Sequence, residues 1–161
     1  MPEHAVVNAS PLVFLSRANV IDLLRLSAPD VVVPTPVYEE LRRRGSTDVT
    51  VHAIETTGWI RVVPATNTPS SILSWDLGEG ESSVLAWGKV NPGSEVIIDD
   101  LAARRCAAAL GLDVRGTLGL VLLGKKSGRI ESARAVLETL RDSGMYLSDD
   151  VLTRALELVG E

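Results

Sequence analysis

The stretch EVIIDDLAARRCAAALGLDV, residues 95–114, reads as a strand, a helix and a second strand in succession. Glu95-Val96-Ile97-Ile98 is a short β-branched run, the composition that a buried pleated strand takes. Asp99 and Asp100 end it. Leu101 to Leu110 then reads as a helix, Gly111 is placed as its C-cap, and Leu112-Asp113-Val114 returns to strand. A strand, a crossover helix and a second strand within twenty residues point to parallel pairing.

The same alternation extends outward in both directions. Ala5-Val6-Val7, Asp30-Val31-Val32-Val33 and Trp59-Ile60-Arg61-Val62-Val63 complete a set of five predicted strands. Between and after them lie helical patterns: Val20, Leu23, Leu24 and Ala28 at helical spacing, Pro36 to Arg44, Gly78 to Trp87, Thr117 to Leu123, Ser132 to Arg141 and Ser148 to Leu158. Pro36 suits a first helical turn, and Ser148, followed by two acids, suits an N-cap. Thr117 to Leu123 is apolar all round and predicts a buried helix, with Lys125 and Lys126 at its negative end. Pro64 to Ser74, rich in Thr, Ser, Asn and Pro, is the expected long loop. The fold class that follows is α/β with a mostly parallel central sheet of five strands.

Composition sets the outer limits. The chain has 161 residues, 45% of them hydrophobic and 23% charged, which fits one domain over residues 1–161. The single cysteine, Cys106, forms no internal disulfide and excludes a Cys-rich zinc site. The opening Met-Pro-Glu-His lacks the basic start of a secretory signal, and the run Leu118 to Leu123 is far shorter than the ~20 residues a bilayer needs. A cytoplasmic protein with no membrane partner is expected. Sixteen basic against 21 acidic residues give a net charge of −5, which argues against a dedicated nucleic-acid scaffold. It leaves open an enzyme with a basic rim around an acidic centre.

In parallel sheets ligands bind beyond the carboxyl ends of the strands. The first strand ends there in Asn8-Ala9-Ser10 and the fourth in Asp99-Asp100. The second leads into the helix carrying Glu39 and Glu40, and the helix opened by Glu79 and Glu81 precedes the fourth. Four segments thus deliver oxygen ligands to one edge, and the carboxylates among them repel one another unless protonation, other cations or a metal compensates. An all-oxygen set without thiol or imidazole suits Mg²⁺ or Mn²⁺, which fits phosphodiester hydrolysis. Against this stands a plain structural reading in which each acid near a helix N-terminus stabilises the helix dipole by about 0.3–1 kcal/mol.

Five ordered segments carry a family resemblance: Asn8-Ala9-Ser10-Pro11-Leu12, Val37-Tyr38-Glu39-Glu40-Leu41, Leu77-Gly78-Glu79-Gly80-Glu81, Ile97-Ile98-Asp99-Asp100-Leu101-Ala102-Ala103-Arg104 and Gly116-Thr117-Leu118-Gly119. In this order, across nearly the whole chain, they resemble the PIN-domain superfamily and within it the VapC-like branch of prokaryotic toxin nucleases. The resemblance implies a three-layer αβα fold, an acidic site holding Mg²⁺ or Mn²⁺, cleavage of single-stranded RNA, a cognate antitoxin and a homodimer. By position, Asn8 takes the place of the first acid, Ser10 that of the accompanying hydroxyl, and Glu40 that of the second acid. The third falls on Glu79 or Glu81, with Glu79 preferred because Ala86 then lies seven residues on. The fourth falls on Asp99 or Asp100. The departure is Asn8, where the family pattern has aspartate: an amide offers one carbonyl oxygen and no charge. The alternative is a catalytically degraded PIN-like domain that binds RNA or protein.

Other signals carry less. Gly78-Glu79-Gly80-Glu81 resembles a phosphate cradle, but its glutamates would repel phosphate. Gly124-Lys125-Lys126-Ser127 lacks the upstream glycine of a Walker loop and falls at a helix end. His4 and His52 are isolated, and Cys106 among alanines reads as a buried small hydrophobe. Trp59, Trp75 and Trp87 read as core or interface residues. Arg42, Arg43, Arg104 and Arg105 are the candidate RNA contacts, with helix-end solvation (Arg42, Arg43) and pairing to Asp99 or Asp100 (Arg104, Arg105) as the plainer readings.

Overall fold

The computed structural model describes residues 1–45 and 49–161. The central strand β1 (His4–Val7) pairs on one side with β2 (Asp30–Pro34) and on the other with β4 (Ser94–Ile97). β3 (Ile60–Val63) and β5 (Asp113–Arg115) form the edges, so the order is β3-β2-β1-β4-β5 and every pairing is parallel. Strands covered on both faces need apolar side chains on both. Accordingly Ala5, Val6, Val7, Val31, Val32, Val33, Val96 and Ile97 are all fully buried.

The covering helices are α1 (Ala9–Arg17), α2 (Thr35–Arg43), α3 (Val49–Thr56), α4 (Ser70–Leu73), α5 (Glu79–Val90), α6 (Leu101–Ala109), α7 (Thr117–Lys126), α8 (Ala133–Asp142) and α9 (Asp149–Leu158). α5 packs across β1, β2 and β4 and touches α2 and α6, whereas α7 packs against α1, α8 and α9. The caps follow the sequence reading: Gly111 adopts φ +72° after α6, and the Ser148 hydroxyl accepts the Val151 N–H at 3.2 Å.

Several expectations are revised. The spacing from Val20 to Ala28 forms a 3-10 helix over Ile21–Leu26, in which Leu23 N–H donates to Val20 C=O at 3.0 Å. Such short, tight turns serve as connectors, here between α1 and β2. α1 and α3 occupy segments for which the sequence reading predicts no helix, and α4 lies inside the expected loop. α7 is buried on one face only: Leu120 and Val121 are enclosed, while Leu118, Leu122 and Leu123 are half-buried. Among the described residues no helix is long and apolar enough to cross a membrane.

Two polar clusters tie the strands together. In one, Glu95 on β4 is buried and accepts from Ser27 Oγ at 2.7 Å and from Arg115 Nε on β5 at 2.9 Å, which satisfies its charge. In the other, at the amino end of the sheet, Asp30 on β2 joins His4 on β1 at 2.7 Å and Arg61 on β3 at 2.6 and 2.9 Å. His4 also meets Trp87 edge-on, so it belongs to the framework far from the carboxyl ends of the strands.

Candidate active site

The carboxyl edge of the sheet is built around Asn8. Its backbone N–H donates to Ile97 C=O at 3.0 Å, which extends the β1–β4 pairing by one step and brings the two strand ends side by side. Its side chain turns the other way, toward α2 and α5. A Cβ added to Gly80 would lie 3.0 Å from Glu40 Oε2 and 3.3 Å from Asn8 Oδ1. Only the missing side chain of Gly80 lets α5 approach these two oxygens so closely. Glu40 Oε1 points away, 3.4 Å from Arg44.

Asn8 is 5% exposed, and its Oδ1 is buried without a hydrogen-bond partner among the described residues. A buried carbonyl oxygen left unpaired costs about 1–3 kcal/mol, so native structures rarely keep one without a use.

On the other side of Asn8 a cleft of about 650 Å³ opens. Its polar wall is made by Asn8, Ser10, Glu81, Asp99, Asp100 and Arg104. Asp99 is held rigidly: Thr117 donates its N–H to Oδ1 and its hydroxyl to Oδ2, both at 2.7 Å. Asp100 caps α6 by accepting the Ala103 N–H at 2.9 Å. These are the dipole roles weighed above, and the structure gives both to acids that also face the cleft. Gly116, before α7, leaves room for the approach: an added Cβ would lie 2.8 Å from Arg104 Nη1 and 3.1 Å from Asp99 Oδ1.

The other predicted residues divide clearly. Glu81 lines the cleft and Glu79 is exposed outside it, the reverse of the preference drawn from spacing. Two residues apart on a helix means roughly 200° of rotation, so only one of the pair can face the site. Glu39, Arg42 and Arg43 border a shallow groove on the outer side of α2, where the Arg42 guanidinium lies 5.9 Å from the Tyr38 ring. Arg105 is exposed and does not line the cleft, while Arg104 does. Neither arginine pairs with Asp99 or Asp100 among the described residues, so the ion-pair expectation is not met. Cys106 is fully buried, and burial pushes its thiol pKa up, which suits packing and not nucleophilic attack.

Five contributors were given no role in the site by the sequence reading. Thr117 was only part of a motif, yet it orients Asp99. Gly80 was part of a motif and of a failed phosphate cradle, with no role of its own assigned to it. Leu118, Met145 and Tyr146 form part of the apolar wall of the cleft, so α7 and the α8–α9 connection shape the site as well as the core.

The donor set can be tested against a hard cation. Among the described residues no three His, Cys, Asp or Glu side chains converge tightly enough to hold a metal by themselves. Asn8, Glu81, Asp99 and Asp100 share the lining of the cleft, whereas Glu40 is not part of that lining and meets Asn8 at Gly80. Mg²⁺ and Mn²⁺ fit such a spread set because they retain several waters and take few protein oxygens directly. The unpartnered Asn8 Oδ1 is the oxygen such an ion would satisfy.

Comparison with known proteins agrees with this architecture. A family model described as DUF3368, PIN domain, matches residues 4–161. Among solved structures the chain is similar to one titled "Structure of the PIN domain endonuclease Utp24", with a TM-score of 0.53 and 11% identity over 71% of this chain and 85% of that one. At that identity the likeness concerns the fold. No curated protein matches the chain.

Proposed function

Because the chain belongs to the PIN-domain family, we propose that it is a metal-dependent endoribonuclease acting on single-stranded RNA. The observation that carries this reading is the buried, unpartnered Asn8 Oδ1 beside Glu40 Oε2, at the foot of a cleft lined by further acids. In this reading Asn8 and Glu40 would hold Mg²⁺ or Mn²⁺, with Glu81, Asp99 and Asp100 as the further oxygen donors that line the cleft. Such an ion would supply water activation and charge neutralisation for phosphodiester cleavage. Thr117 keeps the Asp99 carboxylate fixed, Ser10 offers a hydroxyl to the cleft, and Arg104 attracts the substrate phosphate.

The finer placement is also a proposal: a VapC-like toxin in the cytoplasm, held by a cognate antitoxin and working as a homodimer. It rests on the motif order of the five segments. A short reading frame beside the gene whose product co-purifies with the protein and blocks cleavage is the outcome expected of a toxin.

The test of the ribonuclease reading is Mn²⁺ titration by calorimetry together with cleavage of a single-stranded RNA pool, in the wild type and in Glu40→Gln. Measurable Mn²⁺ binding, EDTA-sensitive cleavage and loss of both in Glu40→Gln are expected. A second reading is favoured by one specific observation: both oxygens of Asp99 already accept hydrogen bonds from Thr117, and one of Asp100 caps α6. In that reading the domain is catalytically degraded and serves RNA or protein binding. Absent metal binding and absent cleavage in the wild type would select it.

A further inference from the structure

The cleft has a second wall that the metal chemistry does not use. Besides the acids and Arg104, the lining of the cleft includes the apolar side chains of Phe14, Leu101, Leu118, Met145, Tyr146 and Val151. Several of these apolar side chains stand in solvent: Tyr146 is 90% exposed, Leu101 60% and Val151 42%. Phe14 and Leu118, both half-buried, line the same space. Nothing in the framework needs Tyr146, since so exposed a ring adds little to the core.

Resting on the ribonuclease reading, we infer that this wall holds an unpaired nucleobase of the RNA, with Tyr146 as the residue that stacks on it. The occupant follows from the pairing of the two walls. A nucleotide has a flat apolar face at one end and a phosphate at the other, and the cleft offers apolar surface and a guanidinium within one space. Arg104 has no ion-pair partner among the described residues, so its charge is available to a phosphate. A volume of about 650 Å³ lies within the range of small-ligand sites and admits a nucleotide. An aromatic ring at the rim stacks with any base, but only where the base face is free, so the wall selects single strands over duplex.

Tyr146 is accordingly a positioning and specificity residue. It touches the base beside the scissile phosphate and leaves the acids to the chemistry.

The experiment uses a short single-stranded RNA carrying one 2-aminopurine, titrated in EDTA into the wild type, Tyr146→Phe and Tyr146→Ala, with a matching duplex alongside. Expected are quenching of the 2-aminopurine by wild type and Tyr146→Phe, and its loss in Tyr146→Ala with affinity lower by about 5- to 150-fold, the range for one stacked base. Thermal stability should be alike in all three, because the ring is exposed, and the duplex should bind weakly. Equal RNA affinity and equal quenching in the three proteins would overturn the stacking role while leaving the ribonuclease reading intact. RNA binding by none of them, in EDTA or with Ca²⁺ in its place, would overturn the stacking inference, while the ribonuclease reading falls only on absent Mn²⁺ binding and absent cleavage. If Tyr146→Ala instead converts a dimer to a monomer in sedimentation without changing RNA binding, the wall is an interface between copies and the inference falls.

Discussion

Replacing the Asn8 amide by a carboxylate places a negative charge beside Glu40 Oε2 in a buried position, and electrostatics gives the sign of every consequence. Without metal, two like charges a few ångströms apart repel by on the order of 1–3 kcal/mol, so Asn8→Asp should melt lower than the wild type. With Mn²⁺ the order should reverse. An ion present at a hundred times its Kd stabilises by about 2.7 kcal/mol, which for a chain of this size is roughly 5–10 °C. Calorimetry and melting with and without Mn²⁺ check both halves, and Glu40→Gln in the Asn8→Asp background should cancel the gain. Equal, negligible affinity in wild type and Asn8→Asp would leave the interaction module. A second residue-scale prediction concerns Thr117, whose hydroxyl and N–H both serve Asp99. Thr117→Val keeps the shape and removes one donor to a carboxylate, so denaturant unfolding should show a loss of about 1.5–3 kcal/mol. Sequence motifs marked Asn8, Glu40 and the Asp pair as neighbours in function. What they could not convey was which oxygen of each points where. That depends on helix rotation, which separates Glu81 from Glu79 and Glu40 from Glu39, and on the two close approaches permitted by Gly80 and Gly116.

At the scale of elements, α7 shows how one helix serves core and site at once. Leu120 is fully buried, and truncation to alanine leaves a cavity, so Leu120→Ala should lower the unfolding free energy by about 2–5 kcal/mol in urea titration. An unchanged midpoint would remove Leu120 from the core. The opposite face of α7 carries Leu118 into the cleft, and its first residue, Thr117, anchors Asp99. Four strands were legible because β-branched runs bounded by polar residues have few other readings, and the fifth from its place after the Gly111 cap. α5, α6, α8 and α9 were legible from caps and charge placement. α1 was not, because Ala9 to Arg17 is short and mostly buried, and an apolar run of that length carries no period that separates helix from strand. The turn over Ile21–Leu26 shows the converse case. Apolar residues spaced by three and four suit both the α-helix and the tighter 3-10 form, and the short span between α1 and β2 selects the latter.

Across the whole molecule the parallel sheet has two ends with different duties. At the carboxyl end the strands release Asn8, Asp99 and Asp100 into the cleft. At the amino end Asp30 binds β1 to β3 through His4 and Arg61. The Arg61 guanidinium, followed by His4, holds the Asp30 carboxyl below its ordinary range despite the opposing effect of burial. A carboxyl with a lowered folded-state pKa contributes stability above its unfolded value of about 3.9 and loses it as pH falls through the folded value. Asp30→Asn should therefore melt below the wild type at pH 7, and the gap should close as the pH drops below about 4. Arg61 is more than half exposed, so solvent screening limits the effect to about 1 kcal/mol or less, some 2–4 °C. Added salt should shrink it further at pH 7. Because the cluster lies at the far end of the strands from Asn8, Mn²⁺ affinity measured by calorimetry should be the same in Asp30→Asn and wild type. A gap in melting temperature that persists unchanged to pH 2 would mean that Asp30 acts by shape and not by charge, and altered Mn²⁺ affinity would mean that the two ends of the sheet are coupled through β1.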